Sequence, residues 1–200
     1  MAVQPGKTID TFLAGNRMRY TPPFSFFLLV ITIWLLLYQV FDIDMRKTME
    51  EGFQAGLQVQ NGPATEDQKA FAEKLISTIT ANMRIYTILF IPCIAFFSRL
   101  YFSKMKRNFM EWMAITLYIV GVSHVFNIFE VAIYALGASN INIYVNIIIF
   151  IYMIYAYIKI VHTSGPFKVG ILTILNYLCS YFVYIIIMTI VTVSIIVLFP

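Results

Sequence analysis

Charge is what this 200-residue chain has least of: Asp, Glu, Lys and Arg together make up 12% of it, about half the share in a soluble domain. That scarcity excludes a disordered chain, which needs charge to stay solvated. Cysteine is rarer still, with two residues. Cys93 and Cys179 sit in separate apolar runs with no Cys-x-x-Cys spacing, which excludes a disulfide framework, a zinc ribbon and a dithiol redox motif. Both read as small buried hydrophobes. Histidine also numbers two, His124 and His162, too few and too far apart in sequence for a ready metal or haem pair. The sequence has no His-Glu-x-x-His, no Gly-x-Ser-x-Gly elbow and no glycine-rich phosphate loop. No catalytic constellation is visible, so the sequence leads us to expect no enzyme and no cofactor.

What is present is apolar. Hydrophobic residues make up 60% of the chain and the mean hydropathy is +0.79. A spanning helix needs about 20 mostly apolar residues. Runs of that kind occupy 24–43, 85–102, 112–136, 141–161 and 169–199. The fold class expected is all-α: one polytopic membrane helix bundle of about five spans. The first run exceeds the roughly 7–15 apolar residues of a signal peptide and ends without a small-x-small cleavage site, so it reads as a retained span. The last is about 46 Å long at about 1.5 Å per residue, more than a bilayer core of about 30 Å, so it tilts, kinks or protrudes. No repeat at fixed period is present, so an inverted-repeat transporter has no support.

Residues 44–84 form the one extended polar stretch. Met45, Met49, Phe53 and Leu57, then Phe71, Leu75, Ile79 and Met83, recur every fourth residue around the breaker Asn61-Gly62-Pro63. This predicts an amphipathic helical hairpin outside the spans. Thr65 and Gln68 have the capping-box spacing at the start of its second arm.

The formal charge is +4 with a pI near 9.0. In a soluble protein this would suggest nucleic acid; here the basic residues flank apolar runs and read as topology and lipid contacts. One side receives Lys7, Arg17, Arg19, Arg99, Lys104, Lys106, Arg107, Lys159 and Lys168. The other has fewer cations, offset by seven acids from Asp42 to Glu73. The positive-inside rule places the basic segment 1–23 in the cytoplasm and the C-terminus outside. Arg17, Arg19, Arg99, Lys104, Lys106 and Arg107 are then membrane-surface anchors, with Tyr20 in the aromatic belt and the Arg99 stem able to snorkel.

The third run carries the residues most able to do chemistry: Ser123, His124, Asn127 and Glu130. Spacings of three and four put Asn127, Glu130 and one of Ser123 or His124 on one helix face. An ionisable group at membrane depth costs at least about 2.5–3.5 kcal/mol and is a functional candidate for that reason. One reading makes Glu130 a proton- or cation-binding carboxylate with His124 as relay. The other makes the set interhelical glue, with Glu130 near the outer interface. Pro92 removes a backbone donor from the middle of the second run and predicts a kink. Tyr144, Tyr152, Tyr155 and Tyr157 read as interfacial and packing residues.

Two stretches resemble a known family. Gly15-Asn16-Arg17-Met18-Arg19-Tyr20 followed by Pro22-Pro23 resembles the Gly-Lys-Arg-x-x-Tyr-x-x-Pro segment of an uncharacterised bacterial inner-membrane family. Phe90-Ile91-Pro92-Cys93-Ile94-Ala95, with Lys106 to Glu111 after it, is similar to that family's Phe-x-Pro-x-x-Ala signature and the basic loop preceding its Glu-His pair. The family's N-terminal zinc ribbon is missing here, and Trp112 stands where its histidine would be. The resemblance implies a bacterial cytoplasmic membrane and carries no activity.

Two functions fit. The first is a small accessory or scaffold subunit that binds another membrane protein or a second copy of itself. The second is an oligomeric ion- or proton-conducting bundle using Glu130, Asn127 and His124.

Overall fold

In a computed structural model the chain is all-helical, and the structure describes residues 5–13, 15, 21–41, 43, 66–137 and 141–198, with 66–69 and 197–198 as backbone alone. Seven α-helices are described: α1 (Pro5–Leu13), α2 (Pro23–Val40), α3 (Glu66–Ala81), α4 (Met83–Tyr101), α5 (Phe109–Ala135), α6 (Ile141–Ile160) and α7 (Pro166–Leu198). Five of them, α2 and α4 to α7, are long and apolar enough to cross a membrane.

Local chemistry sets their ends. Pro23 and Pro166 occupy first-turn positions, where the missing N–H costs nothing. Asn108 and Glu111 form a reciprocal capping box at the start of α5, each side chain 2.8 Å from the other's backbone N–H. Glu111 is thus held by Asn108. Gly137 ends α5 at φ 91°, a conformation that glycine adopts without strain. α4 runs unbroken through Pro92.

The helices form a ring with additions. α5 packs on α4, α4 on α7, α7 on α6 and α6 back on α5, while α2 lies along the outer side of α5. α5 is the most buried span and α7 the least. The α2–α5 contact is close at Gly121, where the Phe26 ring covers the space a Cβ would take. On the outward faces of α6 and α7, Tyr144, Ile147, Ile151, Phe182, Ile186 and Ile190 are exposed. Such a continuous apolar belt suits hydrocarbon as its solvent.

Two features differ from the sequence reading. Part of the N-terminal basic segment, for which no helix is predicted, forms α1, whose Pro5, Gly6, Thr8 and Ile9 are buried against α6 and α5. The hairpin's second arm exists as α3, packed mainly on α7, but its buried residues are Ala72, Ile76 and Ile79, while Phe71 is exposed. The buried stripe is thus rotated by about one position from the predicted one and shares only Ile79 with it. The first arm, with Met45, Met49, Phe53 and Leu57, and the Thr65 cap lie outside the described residues. α7 has 33 residues, about 50 Å, which is longer than a bilayer core of about 30 Å.

Candidate functional site

α5 does not gather its four polar residues into one site. Ser123 is buried, and its hydroxyl donates to Ile119 O at 3.0 Å on its own helix. His124 is buried too; its Nδ1–H donates to Val120 O at 2.9 Å. The imidazole meets the Phe27 ring edge-on at 5.9 Å and the Trp34 ring at 5.2 Å. It therefore sits in an aromatic slot between α5 and α2. Asn127 is half-buried one turn on.

Glu130 lies in different surroundings. It is half-buried and, among the described residues, has no ion pair or hydrogen bond. It lines a pocket of about 70 Å3 with Tyr38 and Ile43 at the end of α2, Tyr134 on α5, and Ile141 and Asn142 at the start of α6. α2 stops and α6 begins at this depth, so the pocket sits where spans meet the interface. Tyr38 and Ile43 are also walls of a larger open cleft, about 750 Å3, between α2 and the α3–α4 junction at Asn82 and Arg84.

A second polar cluster, not foreseen from the sequence, lies at the centre of the ring. Ser98 on α4 and the Tyr157 hydroxyl on α6 share a hydrogen bond of 2.7 Å. Asn176 on α7 donates its amide to Ser98 Oγ at 3.0 Å and to the Tyr157 oxygen at 3.3 Å. Thr116 on α5 and Thr173 on α7 line a cavity of about 10 Å3 beside them, at most one water in size. All five side chains are nearly inaccessible. Tyr157 also stacks on both Phe102 and Trp112, at 5.4 and 6.4 Å, and those two rings stack on each other at 5.7 Å. Below this layer Ser180 Oγ donates to Asn176 O at 2.6 Å and lies 3.4 Å from Cys93 O, beside Pro92. Nearer the other end, Thr192 donates to Met188 O, leaving the Tyr86 hydroxyl to donate to Thr192 Oγ1 at 2.7 Å. α7 is thus amphipathic in reverse, with Thr173, Asn176, Ser180 and Thr192 inward. Their spacing was the signal available in the sequence.

Of the predicted anchors, Arg99, Lys104 and Lys106 are exposed, and Arg17, Arg19 and Tyr20 lie outside the described residues. Arg107 does something else. Its side chain is 14% exposed, and Nη2 donates to Asp10 Oδ1 at 2.7 Å, fastening α1 to the α4–α5 link. His162 Nε2 approaches the other Asp10 oxygen at 3.8 Å. A Cβ on Gly6 would overlap the Lys159 carbonyl, so α1 and α6 touch backbone to backbone there.

Of the four tyrosines in α6, Tyr152 and Tyr157 are buried, while Tyr144 and Tyr155 are exposed. Among the described residues no group of three or more His, Cys, Asp and Glu is placed to hold a metal ion.

Residues 1–35 match the model of a family described as a protein of unknown function, DUF3667. The match covers α1 and the first two-thirds of α2, including the Gly15–Pro23 signature; the second signature lies beyond it. No curated protein and no solved structure matches the chain.

Proposed function

We propose that this protein is an accessory or scaffold subunit of a cytoplasmic membrane, acting by binding rather than catalysis, with its basic end in the cytoplasm. Asn146 on α6 carries this reading. It is exposed on the outward face, its amide donating to Asn142 O at 2.8 Å, with its carbonyl oxygen given no partner among the described residues. It stands about 7 Å inside the end of a 20-residue span, at hydrocarbon depth. Facing lipid, its remaining polar capacity is unmet. Facing another spanning helix, it makes an interhelical hydrogen bond worth about 0.6–2 kcal/mol. Ile143, Ile147 and Phe150 flank it and supply the packing surface.

The test is the mass and composition of the tagged protein in mild detergent, with Asn146→Leu beside it. A stoichiometric foreign partner, or a closed homo-oligomer, that is lost or weakened in the variant supports the reading. A bare monomer for both proteins overturns it.

The conduit reading retains one observation in its favour, the unpaired Glu130. Its proposed relay is harder to sustain, because His124 is enclosed by Phe27 and Trp34 and bonded to its own backbone. Unchanged proton flux in liposomes on Glu130→Gln would end it.

A further inference from the structure

An unpaired carboxylate among tyrosines at the interface end of a bundle calls for a cation. We propose that the Glu130 pocket binds a primary ammonium group, of the kind carried by an ethanolamine phospholipid headgroup or a free amine.

Three observations lead there. First, Glu130 is half-buried with neither ion pair nor hydrogen bond among the described residues. A carboxylate partly removed from water without a partner is costly to keep. Second, the walls offer what an ammonium uses. Tyr38 and Tyr134 bring aromatic rings and hydroxyl oxygens, and Asn142 brings an amide oxygen. Aromatic walls attract cations through their negative faces, and the oxygens accept N–H bonds. The Asn142 oxygen already accepts from Ile143 N–H at 2.7 Å and has a second lone pair free. Third, the pocket's volume, about 70 Å3, equals roughly two waters' share of the liquid. That admits an ammonium and its adjoining methylene.

A transition or divalent metal is a poor fit, because among the described residues a single carboxylate is the only charged ligand on these walls. A quaternary ammonium fits less well than a primary one, having no N–H to give Glu130. Position favours the lipid as source. The pocket lies where α2 ends and α6 begins, at headgroup depth, and the larger cleft beyond Tyr38 leads to it from outside. Arg84 lines that cleft and supplies a cation for the lipid phosphate.

The experiment is native mass spectrometry of the full chain, delipidated and then offered an equimolar mixture of ethanolamine and choline phospholipids. The wild type is expected to retain the ethanolamine lipid at least about threefold in excess. Glu130→Gln is expected to bring the ratio to one while leaving helicity and thermal midpoint unchanged. Should that variant misfold, Tyr134→Leu removes one exposed wall and reduces the same ratio. A second arm adds free ethanolamine in detergent: displacement of the lipid and a raised midpoint identify the amine alone as sufficient. No preference in the wild type, an unchanged preference in both variants, or equal stabilisation by sodium and ethanolamine overturns the proposal.

Discussion

Asn176 and Ser98 lie 78 residues apart in sequence and 3.0 Å apart in space, with the Tyr157 hydroxyl bonded to both. Three helices therefore meet through hydrogen bonds in a layer that carries no charge. In hydrocarbon, where water cannot substitute for a missing partner, such a set fixes which faces of α4, α6 and α7 turn inward.

Tyr157→Phe removes the shared hydroxyl, so that Ser98 keeps only its bond from Asn176 and one Asn176 hydrogen loses its acceptor. The expected cost is about 1–3 kcal/mol, read as a lower thermal midpoint in detergent. Replacing the whole set at once, Ser98→Ala with Tyr157→Phe and Asn176→Leu, is expected to cost less than the sum of the three single changes, because no polar group is then stranded.

Gly121 lets α2 approach α5, with the Phe26 ring over it. Gly121→Ala moves only the end of a rotatable ring and is expected to cost about 1 kcal/mol. Gly121→Leu must push α2 away, and it is expected to cost clearly more. Comparing the two unfolding midpoints checks the order.

The α1 clasp is tested at both of its points. Gly6→Val strikes the Lys159 backbone, which cannot yield, and is expected to detach α1. Asp10→Asn weakens the bond to Arg107 by about 1 kcal/mol, given that Asp10 is half open to solvent. Labelling of a cysteine placed at Ile9, buried in the native protein, is expected to rise strongly in the first variant and modestly in the second.

His124→Phe keeps an aromatic ring between Phe27 and Trp34 and loses one bond within α5. Folding is expected to survive with a change of about 1 kcal/mol. A normal midpoint with abolished proton flux would instead restore a relay role.

The spans were legible because apolar length is a strong signal: each of the five runs becomes a helix with ends shifted by a few residues. α1 was not, since a nine-residue helix is unstable alone and exists here through Gly6, Ile9 and Asp10, whose partners lie beyond residue 100. At the sites, charge drew attention to Glu130 and away from neutral side chains. Asn176, Ser98 and Tyr157 look unremarkable one by one, and their meaning comes from a meeting that sequence spacing within one helix does not encode. The inward polar stripe of α7 was readable at intervals of three and four, yet the usual expectation of an apolar inward face reverses in lipid. Arg107 was read as an anchor because its partner Asp10 sits in a segment with no visible structure in sequence.

The polar layer also orders events during synthesis. Ser98 enters the membrane on α4 and Tyr157 later on α6, and the two can already satisfy one another. Asn176 arrives on α7, made after the other six described helices, and it reaches both. The ring thus stays open through most of translation. One amide, delivered late, completes the hydrogen bonding of a layer that two earlier helices begin.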